Sequence, residues 1–164
     1  MRTERSADMI NRKVILGLGN LLRTDDGLGV HAIRALDGKV GDWELIDGGT
    51  LGLTLLPYLE GVGDLLILDT IRLGEPAGTL HRFSSPDFAR MRRDQAISGH
   101  DLGVVELWNG LQLKESLPHH CEVLGLEPES LEWGTELSGV VQNALPLLLE
   151  QVLELVTFPP KVAL

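Results

Sequence analysis

Val14-Ile15-Leu16-Gly17-Leu18-Gly19-Asn20-Leu21-Leu22-Arg23-Thr24-Asp25-Asp26-Gly27-Leu28-Gly29 is the stretch that decides how this chain folds. Its first five residues are aliphatic or glycine and end in Gly-Asn. A short apolar run closed in this way predicts a buried strand that feeds a tight loop. The loop over 19–29 holds Asn20, Thr24, Asp25 and Asp26, and either aspartate can cap the helix that follows. Val30, Ile33 and Leu36 recur at helical spacing in that helix, and Gly38 stops it. Strand, polar loop and helix in succession are the opening of an α/β unit.

Working outward, the same alternation continues. Residues 43–46 read as a strand, followed by the loop Asp47-Gly48-Gly49-Thr50. Leu53, Leu56 and Leu59 suggest a helix that Pro57 perturbs. The continuous apolar run 65–68 ends at Asp69 and fits a central parallel strand. Residues 79–83 form a strand of mixed character, and 86–93 a short helix or exposed turn. Ser98-Gly99-His100 opens another loop-to-helix step. The helix beyond it has Leu102, Val105 and Leu113 on its apolar face and breaks near Asn109-Gly110. Residues 122–126 are a further strand, and 136–156 give the longest helical pattern, with a kink expected at Pro146. Strands alternating with helices predict an α/β fold, a three-layer sandwich with a mostly parallel central sheet flanked by helices. One domain is expected over 13–158, between a polar leader (1–12) and a short tail (159–164).

Composition narrows the function. The chain has 164 residues, 43% hydrophobic and 23% charged, enough apolar material for a core in one domain. A net charge of −10 disfavours nucleic acid and anionic membrane as partners. The single cysteine, Cys121, permits no internal disulfide and fits a reducing, cytoplasmic setting. The apolar runs are too short to predict a membrane span, and the N-terminal residues lack a signal-peptide core.

Ligands of open α/β sheets bind beyond the carboxyl ends of the strands. Three polar clusters fall there: 20–26, 47–50, and Asp69-Thr70. His100 lies at a separate loop–helix junction. Two carboxylates and an imidazole suit a borderline divalent metal such as nickel or zinc. Each also has a plainer explanation. Asp25 or Asp26 can be a helix cap, Asp69 can satisfy loop amides, and a lone histidine before a helix is commonly structural.

The opening stretch resembles the signature of the hydrogenase maturation proteases, Gly-x-Gly-Asn-x-Leu-x-x-Asp-(Asp/Glu)-Gly-x-Gly. Four further segments resemble the same family in the same order: Asp47-Gly48-Gly49-Thr50, Leu66-Ile67-Leu68-Asp69, Ser98-Gly99-His100-Asp101-Leu102-Gly103 and Gly125-Leu126-Glu127-Pro128. The resemblance implies an α/β sandwich that removes a C-terminal extension from the precursor of a [NiFe] hydrogenase large subunit. It implies that Asp26, Asp69 and His100 are the catalytic and metal-contacting residues. Asn20, Asp25, Asp47, Gly48, Gly49 and Thr50 are then expected on the substrate side. Some members carry glutamate where this chain has Asp26, which keeps the charge and shortens the arm. The nickel is expected to arrive in the substrate and not as a permanent cofactor, since three ligands leave coordination positions open. Activation of water by the metal and by an aspartate acting as general base both remain open at this point. A monomer is expected.

Two rival readings share parts of this pattern. A dinucleotide-binding module would need glycine where Leu22 stands. A non-catalytic, metal-dependent assembly chaperone would keep the same three residues. A serine or cysteine protease is disfavoured, because no Gly-x-Ser-x-Gly elbow occurs and Cys121 lies inside an apparent strand. His119-His120-Cys121 is expected at an exposed strand edge. Arg90, Arg92 and Arg93 are expected to form a solvated face, His31 to lie on a helix surface, and Trp43, Trp108 and Trp133 to pack.

Overall fold

The structure, a computed structural model, describes residues 12–85 and 102–159. β1 (Arg12–Leu18) alternates its side chains between two cores. Val14, Leu16 and Leu18 enter one, and Ile15 enters the other. β2 (Glu44–Gly49), β3 (Val62–Thr70), β4 (Leu80–Ser84) and β5 (His120–Leu126) complete one sheet in the order β2-β1-β3-β5-β4. All neighbours are parallel except β4, which runs antiparallel to β5 at the edge. Burial of β3 and β5 on both faces explains why they read as unbroken apolar runs.

Helices cover both faces, giving the expected three layers. On one face α1 (Leu28–Leu36) and α4 (Gly139–Thr157) pack Leu28, Ile33, Val141, Leu148 and Val152 against Ile15, Leu66 and Leu124. On the other, α2 (Leu56–Leu59) and α3 (Leu102–Leu113) place Leu59, Leu107 and Leu111 against Leu16, Ile67 and Val123. α4 is long and apolar enough to cross a membrane by length and composition. Its Val141, Leu145, Leu148, Val152 and Leu155 are buried on the sheet, so it is a core helix and no span is indicated.

Several elements differ from expectation. β2 continues through Asp47-Gly48-Gly49, and β3 through Asp69-Thr70, because parallel pairing carries both strands past their apolar segments. The expected helix over 53–59 is a 3-10 turn (Gly52–Leu55) leading into α2, with Pro57 in the first helical positions where its missing N–H costs little. α3 runs unbroken through Asn109-Gly110. A Cβ on Gly110 would come within 2.7 Å of the Leu56 side chain, so the glycine marks helix packing and not a break. α4 starts later than expected, capped by Ser138, whose hydroxyl accepts from the Val141 N–H. β5 is interior, covered by β4, so Cys121 is fully buried and not at an edge. His31 is half-buried with its Nε2 enclosed and without a hydrogen-bond partner among the described residues, where a surface residue was expected. Trp133 is 79% exposed and does not pack in the core. The segment 86–93, the arginines Arg90, Arg92 and Arg93, and most of the leader and tail lie outside the described residues.

Candidate active site

The first loop is built around close backbone contacts. A Cβ on Gly29 would lie 2.2 Å from the Leu68 carbonyl oxygen, so only glycine lets α1 begin this close to β1 and β3. Gly19 has φ +126, and a Cβ there would strike the Asp26 carbonyl. The chain between them folds back as a 3-10 turn (Thr24–Gly27). This turn sends its two aspartates in different directions.

Asp25 turns inward and is fully buried. Its carboxylate accepts from the N–H groups of Glu129 (2.9 Å), Ser130 (3.0 Å) and Ser138 (2.7 Å), and from the Ser138 hydroxyl (2.8 Å). It thereby ties the β5–α4 connection to the first loop. Asp26 turns toward the rim, and its Oδ2 accepts from the Asn20 N–H at 3.0 Å. Neither side chain caps α1, whose N-cap is Gly27.

β3 delivers Asp69 to the same rim, 8% exposed, with Oδ1 accepting from the Thr70 N–H at 2.7 Å. The Thr70 hydroxyl in turn donates to the Asp25 carbonyl, linking the end of β3 to the first loop. Asp26 and Asp69 line one cleft of about 250 Å³. Gly49, Thr50 and Gly52 form one wall, and Gly103, Glu106 and Leu107 of α3 another. His100 lies outside the described residues. Among the described residues, no three His, Cys, Asp or Glu side chains form a metal-holding group.

Of the residues expected on the substrate side, Gly49 and Thr50 line the cleft, and Asn20, Asp25, Asp47 and Gly48 do not. The Asn20 Oδ1 accepts from the Leu22 N–H at 2.9 Å and shapes the loop. Asp47 is exposed on β2, and Gly48 is buried where a Cβ would press on Leu16 and Leu55. Buried and fully hydrogen-bonded, Asp25 holds the loop from behind. Glu106 and Leu107 were not anticipated. Their signal is the spacing from Gly103, three and four residues on, which puts all three on one helix face. With Asp26, Asp69 and Glu106 together, the cleft is acidic and attracts cations.

Two other ionisable groups have structural surroundings. Burial raises the Glu127 carboxyl, but the N–H groups of Leu73 and Gly74 and the His81 ring at 2.8 Å outweigh it and leave it below the usual range. Burial pushes the Cys121 thiol well above the usual range, which removes it as a nucleophile.

Comparison with known proteins converges on one group. A family model described as hydrogenase maturation protease matches residues 30–155. The hydrogenase 2 maturation protease of Escherichia coli is 33% identical over 146 residues, 87% of this chain and 88% of that protein. The solved hydrogenase maturating endopeptidase HybD of E. coli superposes with a TM-score of 0.77 at 31% identity, covering 86% of this chain and 89% of that one. The [NiFe] hydrogenase maturation protease HybD of Thermococcus kodakarensis gives 0.75 at 26% identity, covering 88% and 99%.

Proposed function

Because the chain belongs to the hydrogenase maturation protease family, we propose that its acidic cleft, completed by His100, grips the nickel already inserted in its substrate. The protein is an endopeptidase that processes the C-terminus of a [NiFe] hydrogenase large subunit. That activity leaves no place for the non-catalytic chaperone reading.

The observation that carries the proposal is the convergence of Asp26 and Asp69 on one cleft whose wall continues into the first turn of α3. His100 stands two residues before that helix begins at Leu102. Two carboxylates and an imidazole hold a free ion loosely, because affinity rises with ligand number and softness. Set against a centre that already has protein ligands, the same three groups fill its open positions and orient the scissile segment beside them. The site then reports whether metal insertion is complete before the cut. Asp25 and the glycines act from behind, by fixing the loop that presents Asp26. The same reading places the protein in the cytoplasm and has it working as a monomer, and sedimentation of the purified protein checks the oligomeric state.

The decisive experiment uses chelator-stripped enzyme. It should shorten nickel-loaded precursor, read as a mass shift, and leave nickel-free precursor whole. Inactivity on loaded precursor, with the cut restored by zinc added to the enzyme, would make this an ordinary metalloprotease and end the proposal. His100→Ala should leave loaded precursor unprocessed while the far-ultraviolet circular dichroism stays that of the wild type.

A further inference from the structure

Four large apolar side chains at least half exposed stand out from the loops that frame the catalytic rim. Leu22 is 55% exposed, Trp133 79%, Leu51 55% and Leu53 50%. Exposed apolar groups scattered singly need no explanation, but these four all leave the rim of the sheet that carries Asp26 and Asp69. All four belong to the connections that leave the carboxyl ends of β1, β2 and β5.

The loops that carry these side chains are cross-braced. The Arg23 guanidinium lies 5.7 Å from the Trp133 ring centroid, and its Nε donates to the Leu131 carbonyl at 2.9 Å. The Thr24 N–H donates to the Gly134 carbonyl at 2.9 Å, and the Gly134 N–H to the Leu22 carbonyl at 3.0 Å. The Thr24 hydroxyl donates to the Glu132 carbonyl at 2.7 Å. Trp133 and Leu22 therefore ride on a single laced unit, the one that also presents Asp26. On the opposite flank, the Gly19 N–H donates to the Gly49 carbonyl and the Leu51 N–H to the Gly48 carbonyl, each at 3.0 Å. Leu51 sits between Thr50 and Gly52, both of which line the cleft. A rigid exposed aromatic gives contact area with little loss of freedom on binding, which is the character of a binding hot spot.

We propose that Leu22, Leu51, Leu53 and Trp133 form an apolar collar that seats the nickel-loaded large-subunit precursor around the cleft. The proposal rests on Asp26 and Asp69 marking the site of action. A folded precursor whose metal centre reaches those carboxylates has to lie over the loops that hold them. Its surface around the C-terminal extension is then apolar where it meets the collar. The cleft supplies the chemical selection, and the collar the contact area.

The test measures processing of nickel-loaded precursor by Trp133→Ala and Leu51→Ser. Leu113→Ser serves as control, since Leu113 is 86% exposed at the far end of α3. KM should rise about 10- to 30-fold for the two collar variants with kcat little changed, and stay put for the control. Hydroxyl-radical oxidation of Trp133 should fall when the precursor binds, with buried Trp43 as the internal reference. Unchanged KM in both variants, with Trp133 still oxidised in the complex, would overturn the collar. So would protection of Trp133 in the free protein by self-association, which would give the surface to a second copy of this chain. Asp69→Asn separates the two claims. If it still cleaves, the cleft reading fails and the collar loses its placement. If it is inactive while both collar variants behave as wild type, the collar alone fails.

Discussion

Asp25 and Asp26 are identical side chains on adjacent residues, yet one is enclosed by four hydrogen bonds and the other faces the cleft. Asp25→Ala should therefore strand buried donors and cost about 2–4 kcal/mol of stability, read as a lower thermal midpoint. Asp26→Asn should leave the midpoint within a few degrees while slowing precursor processing by about 100-fold or more. Composition and spacing do not distinguish the two, since either can cap a helix, and only the family resemblance singles out Asp26. The difference arises from the 3-10 turn and from Ser138, 113 positions away. Glu127 carries a pH prediction. Its folded pKa is depressed, so its contribution to stability is present above the ordinary carboxyl pKa of about 4.3 and is lost as pH falls through the lower folded value. Unfolding by urea should show Glu127→Gln less stable than wild type at neutral pH, with the gap closing on acidification below about pH 4. A gap that stays constant with pH would remove this carboxylate from the acid limb.

Among the elements, α1 depends most sharply on one residue. Gly29→Ala would drive a methyl group against the Leu68 and Leu18 carbonyls, at 2.2 and 2.3 Å, both backbone atoms with little freedom to move. A loss of at least about 2 kcal/mol is expected, seen as a lowered denaturant midpoint or as insoluble protein. Gly38→Ala is the comparison that isolates contact from conformation. A Cβ there meets nothing within 4 Å, so only its φ of +73 opposes the change, and the cost should be about 1 kcal/mol. Element type was legible from apolar runs and helical spacing, and the ends were not. β2 and β3 run past their apolar segments because pairing with β1 and β5 continues, and a partner strand cannot be read from the segment itself. Gly110 looked like a break for the same reason. Its meaning lies in Leu56, on another helix.

At the scale of the whole molecule, two cores share one sheet, and the interior strands β1, β3 and β5 contribute to both. Amide hydrogen exchange should therefore be slowest in those three strands and faster in the edge strands β2 and β4, a pattern measurable by mass spectrometry. Uniform protection across all five strands would contradict the two-core reading. The sequence by itself determined the fold class, because alternation of apolar strands with amphipathic helices leaves few ways to bury both faces of a sheet. It also carried the family resemblance in the glycines and acids of the first loop, where Gly19 and Gly29 meet a backbone crowding that a Cβ would not allow. Only the tertiary structure decided which polar residues share the cleft. Glu106 enters it and Asp25 leaves it by virtue of turn and helix orientation, which depend on contacts remote in the chain. It alone decided that Trp133 stands in solvent, pinned by Arg23, where an indole's apolar bulk argues for the core. Hydrophobicity predicts average burial, whereas the position of one side chain is set by the backbone that carries it.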